Sequence, residues 1–346
     1  MDMIKNKPFL TDEKVDDFTA EDFVFVHRNE ELLDEAYTAT SYAKDVWMHF
    51  KKNKGAVLGA VIIIVIILLA IIGPMISGYK ADAINLDVQS LPPRIQGIYK
   101  LGIFSGYEKG VDQYAAHGVS QAFYWFGTDT NGRDLFTRVW EGTRVSLIIA
   151  LSAVVIDIVI GMSYGLISGY FGGKVDMVMQ RFMEILNGIP TLVVVTLLGL
   201  VLPPGITSIV FALMITGWIG MARISRAEVL KLKESEFILA SRTLGAKNFS
   251  IIFKEVMPNI FGQLIVMSMF SIPNAIFTEA FLSFVGLGIQ APDASLGSLI
   301  SDGYKSLTGH PHIIMSAIIV LALLMLSFNL FADGIRDAFD PNQKQR

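Results

Sequence analysis

The 346-residue sequence contains no cysteine, which excludes disulfides, thiolate metal sites and cysteine nucleophiles. Charge is also scarce. Asp, Glu, Lys and Arg make up 17% of the chain against 52% hydrophobic residues, whereas soluble domains run near about 25% charged. That balance is the balance of a membrane protein. The net charge of −4 says little about partners, because charge is partitioned by segment, and no nucleic-acid partner is expected. A phosphate-binding loop, G-x-x-x-x-G-K-[ST], is missing as well. The only Gly-Lys pair is Gly173-Lys174, with Ser168 where the first glycine would stand and Val175 where a hydroxyl residue would follow. ATP hydrolysis by that route is therefore excluded. The polar N-terminal stretch lacks the short apolar core and small-residue cleavage site of a secretory signal, so the first hydrophobic segment is expected to stay in the membrane. Neither a voltage-sensor repeat of arginines nor a TVGYG-like carbonyl filter occurs.

Six apolar stretches are present, at 56–77, 145–167, 182–202, 206–222, 260–287 and 313–331. At about 1.5 Å per residue the first spans roughly 33 Å, enough to cross a hydrocarbon core of about 30 Å. Residues 1–55 are polar and end in Trp47, Phe50 and a lysine cluster, the composition of an interfacial segment on membrane lipid. Residues 78–143 are mixed and Gly-rich, with no run long enough to span. Six spans put both termini on one side. With that side cytosolic, 20 of the 28 lysines and arginines fall inside, which favours N-in/C-in. The chain is then expected to divide into a cytosolic segment 1–55, a first transmembrane helix 56–77, an extracytoplasmic segment 78–143, a five-helix core 144–333 and a cytosolic tail 334–346.

Within the core, residues 234–259 form a polar interruption. Phe237, Ala240, Ser241 and Leu244 recur at helical spacing, as do Phe249, Ile252, Phe253 and Val256. The pattern predicts two short amphipathic helices joined at Leu244-Gly245-Ala246, with Pro258 stopping the pair. Either self-packing or docking of a partner fits that pattern. Gly161, Gly165 and Gly169 make a small-residue stripe of the kind that lets helix backbones approach in lipid. The same run matches G-x-S-x-G at 161–165, but without the strand-turn-helix context of a nucleophile elbow. Three acids, Asp157, Glu184 and Glu279, lie in or beside apolar spans. Each is expected to face the protein interior, a water-filled path or a cation. Asp157 is the preferred path or pivot residue, and Glu184 is expected to pair with Arg181 one turn away. Pro190, in Asn187-Gly188-Ile189-Pro190, and Pro273 are expected to interrupt their helices, as gates often do. His310-Pro311-His312 lacks a third ligand nearby, so no metal site is expected.

The 234–259 stretch resembles the EAA loop of bacterial ABC importer permeases, E-A-A-x3-G-x9-I-x-L-P. Ala240-Ser241, Gly245 and Pro258 keep its spacing, while Leu239 stands where Glu is expected and Glu255 where an aliphatic is. Three further stretches are similar to the C-type subunit of the oligopeptide/dipeptide family. They are Trp47 to Gly59, Phe126-Gly127-Thr128-Asp129 with Gly132-Arg133-Asp134, and Glu279 to Gln290. Leu296 departs, where the subfamily usually has Trp. The resemblance implies an all-α membrane protein, a six-helix type I ABC importer permease in the bacterial cytoplasmic membrane, and not an enzyme. It implies a homologous B-type permease subunit, two cytosolic ATPase subunits holding ATP and Mg²⁺ (no cofactor in this chain), and an extracellular peptide-binding protein. Glu236, Phe237, Ala240, Ser241, Leu244, Gly245 and Pro258 would dock the ATPase. Gly127, Asp129, Gly132, Arg133 and Asp134 would form the family motif of the outer segment. A permease for nickel complexes, or a self-sufficient secondary transporter or channel, are the competing readings.

Overall fold

The computed structural model describes residues 42–203 and 205–339. The chain divides into two units, Met1–Asp45 and Val46–Arg346, and every span lies in the second. The expectations for residues 1–41 and 340–346 lie outside the described residues.

Helix α1 (Tyr42–Lys52) ends at Asn53, which also begins α2 (Lys54–Ile76). The Asn53 side-chain oxygen accepts the Ala56 N–H at 3.1 Å, and its Nδ2 donates to Asp337 at 3.0 Å. This cap satisfies an orphan helix donor and ties the start of α2 to the end of the last helix. Phe50 is buried against Phe331 and Ala338, while Trp47 is exposed beneath the Lys51 ammonium, 5.0 Å from the ring centre. α2 is apolar on every side and only 28% of its most apolar window is buried, as a lipid-facing helix should be.

The segment between α2 and α3, the expected outer segment, carries a small core of its own, made by Val88, Leu91, Tyr114 and Tyr124. Arg94 is buried among the rings of Tyr99, Tyr114 and Phe123, at 4.8, 4.8 and 5.5 Å. A two-stranded hairpin, β1 (Tyr107–Glu108) and β2 (Val111–Asp112), closes beside it. Burial pushes the Tyr114 phenol up, and burial pushes the Tyr124 phenol up to about 12.

Asp134 then caps α3 (Leu135–Phe171), accepting the Thr137 N–H at 2.8 Å. α3 holds a π-turn over Asp157–Met162. Next come α4 (Gly173–Asn187) and α5 (Thr191–Gly199), bent by 72° at their break. α6 (Ile206–Thr216) and α7 (Ile219–Leu232) follow, then α8 (Glu236–Thr243), α9 (Asn248–Phe284), α10 (Leu296–Lys305) and α11 (His312–Phe339). Five helices, counting α6 with α7 as one, are long and apolar enough to cross a membrane, and the bent α4–α5 pair makes six. The main core gathers Trp140, Ile149, Ile156, Trp218, Ile276 and Leu324 from α3, the α6–α7 link, α9 and α11.

Three expectations need correction. Pro258 does not stop the hairpin: the chain passes through a π-turn at Ile252–Val256, and Pro258 falls directly after it without ending the helix. The fifth apolar stretch therefore joins the second half of the hairpin in one continuous helix of 37 residues. Pro273 does not interrupt that helix either; it is buried inside it. The apolar stretch 182–202 is not one straight span but the bent pair, broken where Pro190 opens α5.

Candidate functional site

The hairpin has two faces. Ile238 of α8 and Ile251, Ile252 and Val256 beyond it have no exposed surface and pack with Tyr170, Val229 and Leu264. Arg242 lies over the Tyr170 ring at 4.8 Å, and the Tyr170 hydroxyl donates to Asn248 at 3.2 Å, so both halves are bound to the end of α3. The opposite face is open. Phe237 is 44% exposed and Leu244 88%, with Glu236 and Ala240 exposed and Ser241 half-buried beside them. Gly245 sits at φ +82, a conformation that favours glycine, and the N–H groups of Leu244, Gly245 and Ala246 close α8 on the carbonyls of Ala240, Arg242 and Ser241. The second expected face is split: Ile252 and Val256 turn inward, Phe249 and Phe253 outward. The π-turn beginning at Ile252 carries one more residue per turn than an α-helix, so simple 3.6-residue spacing fails there. Pro258 is exposed on α9.

Above the hairpin, α3, α5, α6, α7 and α9 enclose a cavity of about 360 Å³. Asp157 lines it, 6% exposed, with its carboxylate toward the Ser271 hydroxyl. Thr191, directly after Pro190, lines the same cavity. Glu279 does not. It has no exposed surface and accepts hydrogen bonds from Ser146 of α3 at 2.7 Å and from Ser283 at 2.8 Å. That arrangement welds α3 to α9. Glu184 lies on the surface, paired with Arg181 at 2.6 Å.

Gly161, Gly165 and Gly169 face α7. A Cβ at Gly165 would stand 2.3 Å from the Ala222 carbonyl oxygen, and one at Gly161 2.7 Å from that of Trp218. Sequence reasoning missed the tie beside this stripe: Arg226 of α7 grips Asp176 of α4 with two 2.6 Å hydrogen bonds, and Ser168 donates to the same carboxylate. Fifty residues separate that pair, beyond any helical spacing rule.

In the outer motif, the Asp129 carboxylate accepts the backbone N–H groups of Asn131 and Arg133 at 2.8 and 2.9 Å and Arg133 Nε at 2.7 Å, with Arg138 Nε at 3.6 Å. A Cβ at Gly132 (φ +72) would stand 1.7 Å from the Asn85 carbonyl oxygen. The motif is a cradle for residues 85–91, which also bond Thr128 through Val88 and Leu91. His310 and His312 lie against this segment, His310 Nδ1 3.6 Å from Glu108. Leu296 is fully buried at the start of α10.

Residues 161–345 match the family described as binding-protein-dependent transport system inner membrane component, and residues 41–93 match the N-terminal TM domain of oligopeptide transport permease C. The chain belongs to this family: it is a permease subunit of an ABC transporter, not an enzyme, and an integral protein of the bacterial inner membrane. It is 41% identical over 319 residues to the dipeptide transport system permease protein DppC of Bacillus subtilis (strain 168), covering 92% of this chain and 91% of that protein. Identity is 45% over 320 residues with DppC of Lactococcus lactis subsp. cremoris (strain MG1363), covering 90% and 93%. With the oligopeptide transport system permease protein OppC of Bacillus subtilis (strain 168) it is 42% over 302 residues, covering 87% and 90%.

Proposed function

We propose that this chain forms half of the translocation path of an ATP-driven peptide importer, paired with a homologous permease subunit, and that its α8 hairpin takes up the motion of a cytosolic ATPase. The open face of Phe237, Ala240 and Leu244, on a hairpin whose other face is fixed to α3 and α7, carries this reading. A coupling element has to hold its partner and move with its own helices together, which a loose tether cannot do. ATP and Mg²⁺ belong to the ATPase subunits, in keeping with the missing phosphate loop. An extracellular binding protein delivers the cargo. The relatives' names favour dipeptides and oligopeptides over nickel complexes. Co-purification from the native membrane tests the assembly. The wild-type chain should carry a second permease and an ATPase pair, and Phe237→Ser with Leu244→Ser should shed the ATPases while keeping the permease partner. Retention of the ATPases by the double variant would refute the docking face.

A further inference from the structure

Asp157 stands midway along the apolar stretch 145–167. It continues the Gly161–Gly165–Gly169 row by one step of four residues. Each of those glycines presses against α7 or the residue before it. At Asp157 the facing chain passes instead through the turn at Gly217-Trp218, between the end of α6 at Thr216 and the start of α7 at Ile219, and Gly217 lines the cavity beside it. The cavity's opposite wall carries hydroxyls and an amide, from Thr191, Thr216, Ser271, Asn274 and Thr278, and among the described residues no Lys, Arg or His lines it. A π-turn begins at Asp157 itself, a distortion that single-turn π segments often bring to functional sites. A carboxylate at such depth needs a cationic or strongly donating partner, and none of the described residues forms an ion pair with it.

We propose that Asp157 is a membrane-level subsite for the primary ammonium group at the N-terminus of the peptide cargo. The inference rests on the peptide-importer reading. An unmodified peptide must bring a positively charged terminus past the middle of the bilayer. A single carboxylate backed by hydroxyls can replace part of that group's hydration without binding any particular side chain, since every peptide with a free N-terminus presents the same ammonium. The carboxylate thus selects for a feature common to all cargo and leaves sequence preference to other surfaces.

The test uses the complete transporter, with its binding protein, in proteoliposomes. One pentapeptide free of Lys and Arg is supplied with a free or an N-acetylated terminus, and the ratio of the two uptake rates is compared between wild type and Asp157→Asn. The binding protein's own preference is common to both and cancels. The ratio should fall about tenfold in Asp157→Asn and be restored in Asp157→Glu. Equilibrium dialysis of both peptides against the assembled, nucleotide-free complex without binding protein should show the same loss of preference. Equal loss of both peptides in an assembled Asp157→Asn transporter, or an unchanged ratio, would overturn the subsite and leave the importer reading intact. A wild-type transporter that assembles and moves another cargo but neither peptide would overturn the peptide reading and the subsite with it.

Discussion

Replacing Asp129 by Asn should loosen the outer segment from the bundle. The carboxylate is the acceptor for two backbone N–H groups and for Arg133 Nε, and it lies 3.6 Å from Arg138 Nε. The side chains of Asp129, Arg133 and Arg138 are only 5, 6 and 1% exposed. Arg138 has little else to lean on, its Nη1 reaching the Ala81 carbonyl at 3.4 Å. Breaking a buried ion pair by neutralising one partner costs about 3–5 kcal/mol, because the remaining charge stays buried and uncompensated. The replacing amide keeps one acceptor oxygen, which places the cost near the low end, about 3 kcal/mol. At about 1.4 kcal/mol per factor of ten, opening of this segment should become on the order of 100-fold more frequent. Hydrogen–deuterium exchange on the assembled transporter reads that directly, in peptides spanning 85–95 and 127–134. Exchange there should accelerate by that factor while peptides from α9 stay protected. Exchange within about threefold of wild type would refute the view that this carboxylate holds the cradle.

Four further outcomes are expected. Gly245→Val places a β-branched residue at φ +82, costing on the order of 1–2 kcal/mol, and should uncouple stimulated ATP hydrolysis from uptake in proteoliposomes with the complex still assembled. Gly165→Ala forces α3 from α7, since its Cβ would meet the Ala222 oxygen at 2.3 Å, so the purified complex should melt several degrees lower. Glu279→Ala strands the Ser146 and Ser283 hydroxyls and should cut membrane yield sharply, whereas Glu279→Gln, which keeps an acceptor, should recover most of it. The outer segment should lose stability in alkali. The Tyr124 phenol is raised to about 12 by burial, so its contribution is full below the ordinary tyrosine value near 10 and is lost as pH rises through about 12. Ultraviolet titration should show that phenolate appearing only as the segment opens, with Tyr124→Phe removing the step.

Features written in local spacing were legible. The stripe at Gly161, Gly165 and Gly169, the Arg181–Glu184 pair and the break at Pro190 all follow from residues within a few positions of one another, and the structure places each where its spacing points. Partners distant in sequence were not legible. Nothing near Glu279 announces Ser146, 133 residues away, and nothing near Asp176 announces Arg226. Both prolines stay within the helix for a physical reason. Pro273 and Pro258 each remove one donor, but a 37-residue helix held by neighbours along its length loses little from a missing bond at each. The π-turn over Ile252–Val256 does not follow a 3.6-residue pattern, so that pattern does not separate the inward and outward residues there.

The unbroken run of α9 has a mechanical meaning. Thirty-seven residues make a rod of about 55 Å, so tilting it by 5° about its midpoint swings its ends roughly 2 Å in opposite directions. One end is the second half of the hairpin, and the stretch from Met267 to Thr278 forms a wall of the cavity. A small push at the hairpin end therefore arrives at the far end reversed in sign, as on a seesaw. The irregular points of the rod are the π-turn at Ile252–Val256 and Pro273, the latter close in sequence to Ser271 and Asn274 of the cavity wall. Stiffening position 273 would alter the stroke without touching either end.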